Sequence, residues 1–212
     1  MDLHNIREDY KFDSLLEANL HKNPFDQFKN WFETYQHLGV KDANAMAIAT
    51  VGEDGIPQNR IVLLKEVRQD GLVFYTNYAS DKGQQLMQNP NISALFFWRE
   101  QERQVRITGT VSKTDDSENE NYFKTRPYLS QIGAAASEQS SPIKDRTALE
   151  AKFQAFQQQF PEGSAVPKPE SWGGFQITPK SFEFWQGRSG RLHDRIIYTA
   201  HEGAWVTKRL QP

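Results

Sequence analysis

Ala45-Met-Ala-Ile-Ala-Thr-Val51, Asn59-Arg-Ile-Val-Leu-Leu-Lys-Glu-Val67 and Leu72-Val-Phe-Tyr-Thr-Asn77 are three short apolar runs. Gly52-Glu-Asp-Gly55 and Gln69-Asp-Gly71 stand between them. Runs rich in β-branched and aromatic residues, bounded by Gly and Asp turns, read as strands joined in an antiparallel meander. Upstream the period changes. Phe25, Phe28, Trp31, Phe32, Tyr35 and Leu38 recur at three- and four-residue steps, the apolar face of a helix. Asn23 can cap that helix, Pro24 suits its first turn and Gly39 can end it. Residues 1–22 are polar and aperiodic and read as an arm.

Downstream, residues 80–89, closed by Pro90, read as a short helix, and 92–99 and 104–113 as two more strands. Ser117 and Glu120 have the spacing of a capping box, opening a helix through about Lys124. Arg126-Pro127 breaks it, because the residue before a proline leaves helical geometry. Residues 145–160 form a further helix with Leu149, Phe153, Phe156 and Phe160 as its stripe, followed by a proline-rich loop over 161–171. Strands return at 175–178, 181–186, 195–199 and 204–208. With no repeat and no firm boundary, residues 23–212 read as one α+β domain on an antiparallel barrel.

Composition narrows the chemistry. The 212 residues carry 25 basic and 27 acidic side chains, so no global field favours nucleic acid or an anionic membrane. There is no cysteine, which excludes disulfides, thiol catalysis and thiolate metal sites. Apolar residues are only 37%, but aromatics are 12% and bury much area each, so a core remains feasible. No apolar run approaches a membrane span and the N-terminus has no secretory h-region, so the expected location is cytoplasmic. Walker, Gly-x-Gly-x-x-Gly and Gly-x-Ser-x-Gly motifs are absent, and the five histidines are too scattered for a metal site.

Three groups of residues remain that can meet an anion. In an extended chain Arg191, His193 and Arg195 point one way, a face that plain solvation explains at least as well. Tyr122, Arg126 and Ser130 would suit a phosphate dianion, although a helix end rich in polar groups is the simpler account of each alone. Arg60 and Lys65 flank Ile61, Val62, Leu63 and Leu64. Strict alternation puts the two cations on opposite faces, so both reach one ligand only through a bulge or at a strand end.

The order of these motifs adds what none carries alone. Asn59-Arg-Ile-Val-Leu-Leu-Lys65, Phe74-Tyr-Thr-Asn77, Glu102-Arg-Gln-Val105, Arg126-Pro127 with Ser130-Gln-Ile-Gly133, Gln139-Ser-Ser141, Trp172-Gly-Gly-Phe175, and Phe184-Trp-Gln-Gly187 with Arg191-Leu-His-Asp-Arg195 follow in series. The sequence thereby resembles the pyridoxine/pyridoxamine 5′-phosphate oxidases, FMN enzymes with a split-barrel fold. The resemblance implies oxidation of pyridoxine or pyridoxamine 5′-phosphate to pyridoxal 5′-phosphate, with molecular oxygen reduced to hydrogen peroxide. It also implies a homodimer with sites at the subunit interface.

For FMN the resemblance points to Arg60, Ile61, Val62, Leu63, Leu64, Lys65, Tyr75, Thr76, Lys82, Gln104, Gln139, Ser140, Trp185 and Arg195. For the substrate phosphate it points to Lys65, Tyr122, Arg126 and Ser130. Arg191 and His193 would be catalytic, over the pyridine ring and the reacting carbon. Arg7 and Tyr10 belong to a segment expected to be mobile and to close over substrate. One position departs from the pattern: many members carry a basic residue before the lysine of Ser-x-Lys, where this chain has Asp81. An acid beside a phosphate is expected to weaken FMN binding. The competing readings are a related flavoprotein acting on another substrate, which would lack the Tyr122/Arg126/Ser130 shell, and a non-catalytic binder, which would not need Arg191 and His193.

Overall fold

The computed structural model describes residues 1–5 and 9–212. Helix α1 (Pro24–Gln36) starts at Asn23, whose side chain accepts the Phe25 N–H, with Pro24 in the first turn. The meander forms as strands β1 (Ala45–Val51), β2 (Pro57–Val67) and β3 (Leu72–Asn77). Helix α2 (Asp81–Gln88) follows, then β4 (Asn91–Trp98) and β5 (Arg103–Lys113). Helices α3 (Asp116–Thr125), α4 (Tyr128–Ala136) and α5 (Arg146–Gln159) precede β6 (Trp172–Gln186), β7 (Asp194–His201) and β8 (Ala204–Leu210).

The strands pair antiparallel in the order β3-β2-β1-β4-β5-β6-β7-β8, and β3 also pairs with β6. That extra pairing closes six strands into a barrel and leaves β7 and β8 as an extension, which is the split barrel. The device is the length of β6. Its first half, Trp172–Ile177, pairs with β3, and its second half, Ser181–Gln186, pairs with β7, while β5 runs alongside both. The sequence suggests two strands here because Pro179 cannot donate to a ladder. The chain instead passes through on a register shift at Thr108/Gly109, opposite Pro179. A Cβ on Gly109 would lie 2.2 Å from the Thr178 carbonyl oxygen, so only glycine lets the strands approach there.

Helix α1 packs its aromatic face against the main core. Phe25, Phe28 and Trp31 meet Phe182, Phe96 and Phe184 at ring distances of 5.1, 5.0 and 5.3 Å. Leu38, assigned to the same stripe from its spacing, lies beyond the helix end and is 51% exposed. A second, smaller core of Phe123, Ile132, Val166 and Trp172 joins α3 and α4 to β6 outside the barrel, with Phe153, Phe156 and Phe160 packed against it. The expected capping box does not form: α3 begins after Asp115, and Ser117 lies inside its first turn.

The arm is laid along the body from Tyr10 onward. The Phe12 N–H donates to Glu102, Asp13 pairs with Arg103 at 2.7 Å, and Leu15 is buried. Glu17 pairs with Arg209 at 2.7 Å. None of the described helices is long and apolar enough to cross a membrane.

Candidate active site

Between β2, β3 and the helices outside the barrel lies a cavity of about 740 Å³. Along β2 the alternation sends Val62 and Leu64 inward, while Ile61, Leu63 and Lys65 face outward. All but Leu64 of these line the cavity, with Tyr75, Thr76 and Lys82. A register shift between Leu64 and Glu66 marks Lys65 as the bulge position. Arg60 keeps to the opposite face, as strict alternation requires, and does not line the cavity. Its guanidinium donates to the Thr50 hydroxyl, the Gln85 side-chain oxygen and the Gln58 carbonyl.

Lys82 is buried and donates to Ser80 Oγ at 3.3 Å and Gln139 Oε1 at 3.0 Å. Burial, and then the nearby Arg60 charge, hold its ammonium below the usual lysine range. Thr76 donates to the same Gln139 oxygen, and Ser140 Oγ accepts the Asp81 N–H. These contacts tie Gln139 and Ser140 to the start of α2. Arg60 and Lys82 are thus neighbouring cations held only by neutral acceptors. Such a pair suits an anion of the flavin-phosphate type, and the outward apolar side chains of Ile61 and Leu63 suit a ring.

Tyr122, Arg126 and Ser130 line the other end of the cavity. Pro127 forces Arg126 into extended geometry at the end of α3, and α4 begins at once with Tyr128. The polar, Gly-containing Ser130–Gly133 segment gave little sign of that second helix. The Arg126 guanidinium lies 4.8 Å from the Trp172 ring centre and 5.5 Å from that of Phe123. Its Nη1 is buried without a hydrogen-bond partner. Burial lowers its pKa from the usual arginine value, and burial raises that of Tyr122.

The remaining expected residues gather on another face. Gln104, Trp185 and Arg195 are cross-strand neighbours on β5, β6 and β7, lining a shallow concavity of about 300 Å³. Arg195 donates twice to Glu183, at 2.9 and 2.7 Å, and Arg106 pairs with the other Glu183 oxygen. The expected extended face of Arg191, His193 and Arg195 is not formed. Ser189–Arg191 is a 3-10 turn with Gly190 and Arg191 at φ of 63° and 61°, and the strand starts only at Asp194.

His193 Nδ1 accepts the Arg188 N–H at 3.1 Å, which leaves Nε2 as the proton-bearing nitrogen of the neutral ring. Burial, then the Arg191 charge, lower its pKa. The His193 ring is 4.6 Å from Trp185 and 5.6 Å from Tyr10. Arg7 lies outside the described residues. Sequence reasoning gave no role to Thr50, Gln85, Glu183 or Trp172; of these only Trp172 carried a signal, at the head of its Trp-Gly-Gly motif.

Two family models match the chain. One, described as pyridoxamine 5′-phosphate oxidase, covers residues 33–160, and the other, described as a pyridoxine 5′-phosphate oxidase C-terminal dimerisation region, covers 172–212. The chain is 49% identical to a pyridoxine/pyridoxamine 5′-phosphate oxidase of Actinobacillus pleuropneumoniae over the whole of both chains. It is 47% identical to one from Acaryochloris marina, over 98% of this chain and 94% of that one. Its fold superposes on PhzG from Burkholderia lata, solved with tetrahydrophenazine-1-carboxylic acid, with a TM-score of 0.88. That match has 31% identity and covers 94% of this chain and 98% of PhzG. From barrel closure to site motifs, the chain belongs to the pyridoxine/pyridoxamine 5′-phosphate oxidase family.

Proposed function

We propose that this chain oxidises pyridoxine 5′-phosphate or pyridoxamine 5′-phosphate to pyridoxal 5′-phosphate, with FMN as cofactor. The observation that carries the reading is Arg126: a guanidinium in the cavity wall with a buried, unpartnered nitrogen. A buried donor left unmade is costly, and a phosphate oxygen would satisfy it. FMN, when bound, supplies the hydride acceptor for the substrate's exocyclic carbon and, through molecular oxygen, the route of the electrons to hydrogen peroxide.

The chain's own residues do the rest. Lys82, with Gln139 and Ser140, holds the cofactor phosphate, Arg60 adds positive field from behind Lys82, and Tyr75 and the outer face of β2 flank its ring. Arg126 and Lys65 hold the substrate phosphate by charge, while Tyr122 and Ser130 add hydroxyl donors. Anchoring the substrate at a point remote from its reacting carbon converts binding into orientation. Gln104, Trp185, Arg195, Arg191 and His193 reach the same ligands from the second copy of a homodimer. His193 then positions substrate through a proton held on Nε2, while Arg191 lies against the reacting carbon. Tyr10 of the N-terminal arm, edge-on to Trp185 and His193, closes that side.

The test is anaerobic. Protein loaded with FMN is mixed with pyridoxine 5′-phosphate, and the oxidised flavin absorbance is followed. Bleaching that reverses on admitting air is expected. A spectral shift without bleaching would leave a binder rather than an oxidase.

A further inference from the structure

An arginine that must grip a dianion has to be held still without being neutralised. A carboxylate would orient the guanidinium but cancel its charge and occupy its donors. An aromatic face holds the same plane by attraction to the ring and leaves the N–H groups free. Arg126 is held in the second way, over Trp172, with Phe123 behind it.

Trp172 is itself fixed from every side. Its N–H donates to the Pro169 carbonyl, its carbonyl accepts from Lys168, and the preceding Ser171 carbonyl accepts the Tyr78 N–H at 2.6 Å. Gly173 and Gly174 allow this close seating. A Cβ at Gly173 would fall 2.2 Å from the Tyr78 hydroxyl, and one at Gly174 would fall 2.5 Å from Thr114 Oγ1. The Trp172 ring stacks at 10° on Tyr75 and at 16° to Tyr122, and it is only 5% exposed.

We infer that Trp172 is a positioning residue of the substrate-phosphate subsite: its ring fixes the Arg126 guanidinium at full charge, leaving Nη1 for the incoming phosphate. The inference rests on the phosphate reading of the cavity. It adds that the ring's electron density, and not only its bulk, sets affinity for phosphorylated ligands.

The experiment uses the FMN-loaded protein with mono-, di- and tetrafluorotryptophan introduced at position 172, which weakens cation attraction while nearly keeping shape. Trp172→Phe and Trp172→Met are made beside them. KM and kcat are measured with pyridoxine 5′-phosphate, and direct binding of pyridoxal 5′-phosphate is followed by its absorbance in equilibrium dialysis. KM and the dissociation constant are expected to rise stepwise with fluorination to about tenfold, with kcat within about twofold. Trp172→Met should match the top of that series, and Trp172→Phe should fall between.

A flat fluorination series would overturn the inference, even if Trp172→Met fails to fold. Arg126→Ala separates the two levels. If it raises KM while fluorination does nothing, only the role of Trp172 falls; if it leaves KM unchanged, the phosphate reading falls with it.

Discussion

Among the described residues two arginines lie on tryptophans, and their surroundings are opposite. Arg103 sits 4.3 Å from the Trp31 ring centre and is almost wholly buried. Each of its three side-chain nitrogens donates: to Asp13 at 2.7 Å, to Gln186 at 2.8 Å, and to Gln101 and Thr34 more loosely. Arg126 sits on Trp172 at 4.8 Å with no carboxylate partner among the described residues and one buried nitrogen empty. The first arginine binds the N-terminal arm to the barrel. The second keeps a buried nitrogen that no hydrogen-bond partner meets.

The same division runs across the molecule. Arg68, Arg106, Arg195 and Arg209 each meet a glutamate, whereas Arg60 and Lys82 rest on neutral oxygens. At the cavity wall Lys82 rests on neutral oxygens and Arg126 on aromatic rings, with no carboxylate in contact among the described residues.

Arg103→Met should cost about 3 kcal/mol of stability in urea unfolding, since it strips a buried donor network and the Asp13 latch. KM at the cavity should stay near that of the parent. Arg126→Ala should do the reverse. KM for phosphorylated substrate is expected to rise about 10- to 100-fold, the loss of a charged hydrogen bond. Thermal stability should be unchanged or slightly higher, because an unpaired buried cation is removed.

A pH titration sharpens the point at Lys82, whose pKa in the folded chain lies below the lysine value. Near and just below pH 10 the unfolded chain binds more protons at this position than the folded one. Stability of the FMN-free protein attributable to Lys82 therefore rises with pH there. FMN affinity should fall over the same range, and Lys82→Met should abolish both trends in paired urea and flavin titrations. The smallest effect concerns Asp81, exposed at the start of α2, whose charge acts on both Arg60 and Lys82. Asp81→Arg is expected to tighten FMN binding by a few-fold, read by flavin fluorescence. Unchanged affinity would mean that Asp81 is screened by solvent.

Much of this was legible in the sequence because it is local. The Gly-Glu-Asp-Gly turn, the aromatic stripe of α1 and the cap at Asn23 are signals within a few residues. The failures share a cause. Pro179 looks like a strand end until Gly109, seventy residues earlier, is seen to make room for it. Alternation fails at Arg191 because Gly190 and Arg191 both turn left-handed. Tyr122, Arg126 and Ser130 group by spacing and chemistry, though a plain helix end explains each as well; the family resemblance is what adds Lys65 and gives the group weight. What holds the cations in place was harder to read: Thr50 meets Arg60 across the β1–β2 hairpin, Gln85 reaches it from α2, and Trp172 meets Arg126 from β6.

The most direct test of the account is a comparison of two substrates on one protein. FMN-loaded protein is titrated anaerobically with pyridoxine 5′-phosphate and, separately, with pyridoxine, following flavin bleaching. If the unpaired cations of the cavity are reserved for phosphate, the phosphorylated substrate should half-saturate at a concentration at least about 100-fold lower, and Arg126→Ala should remove most of that gap. Equal half-saturation by the two substrates would contradict it.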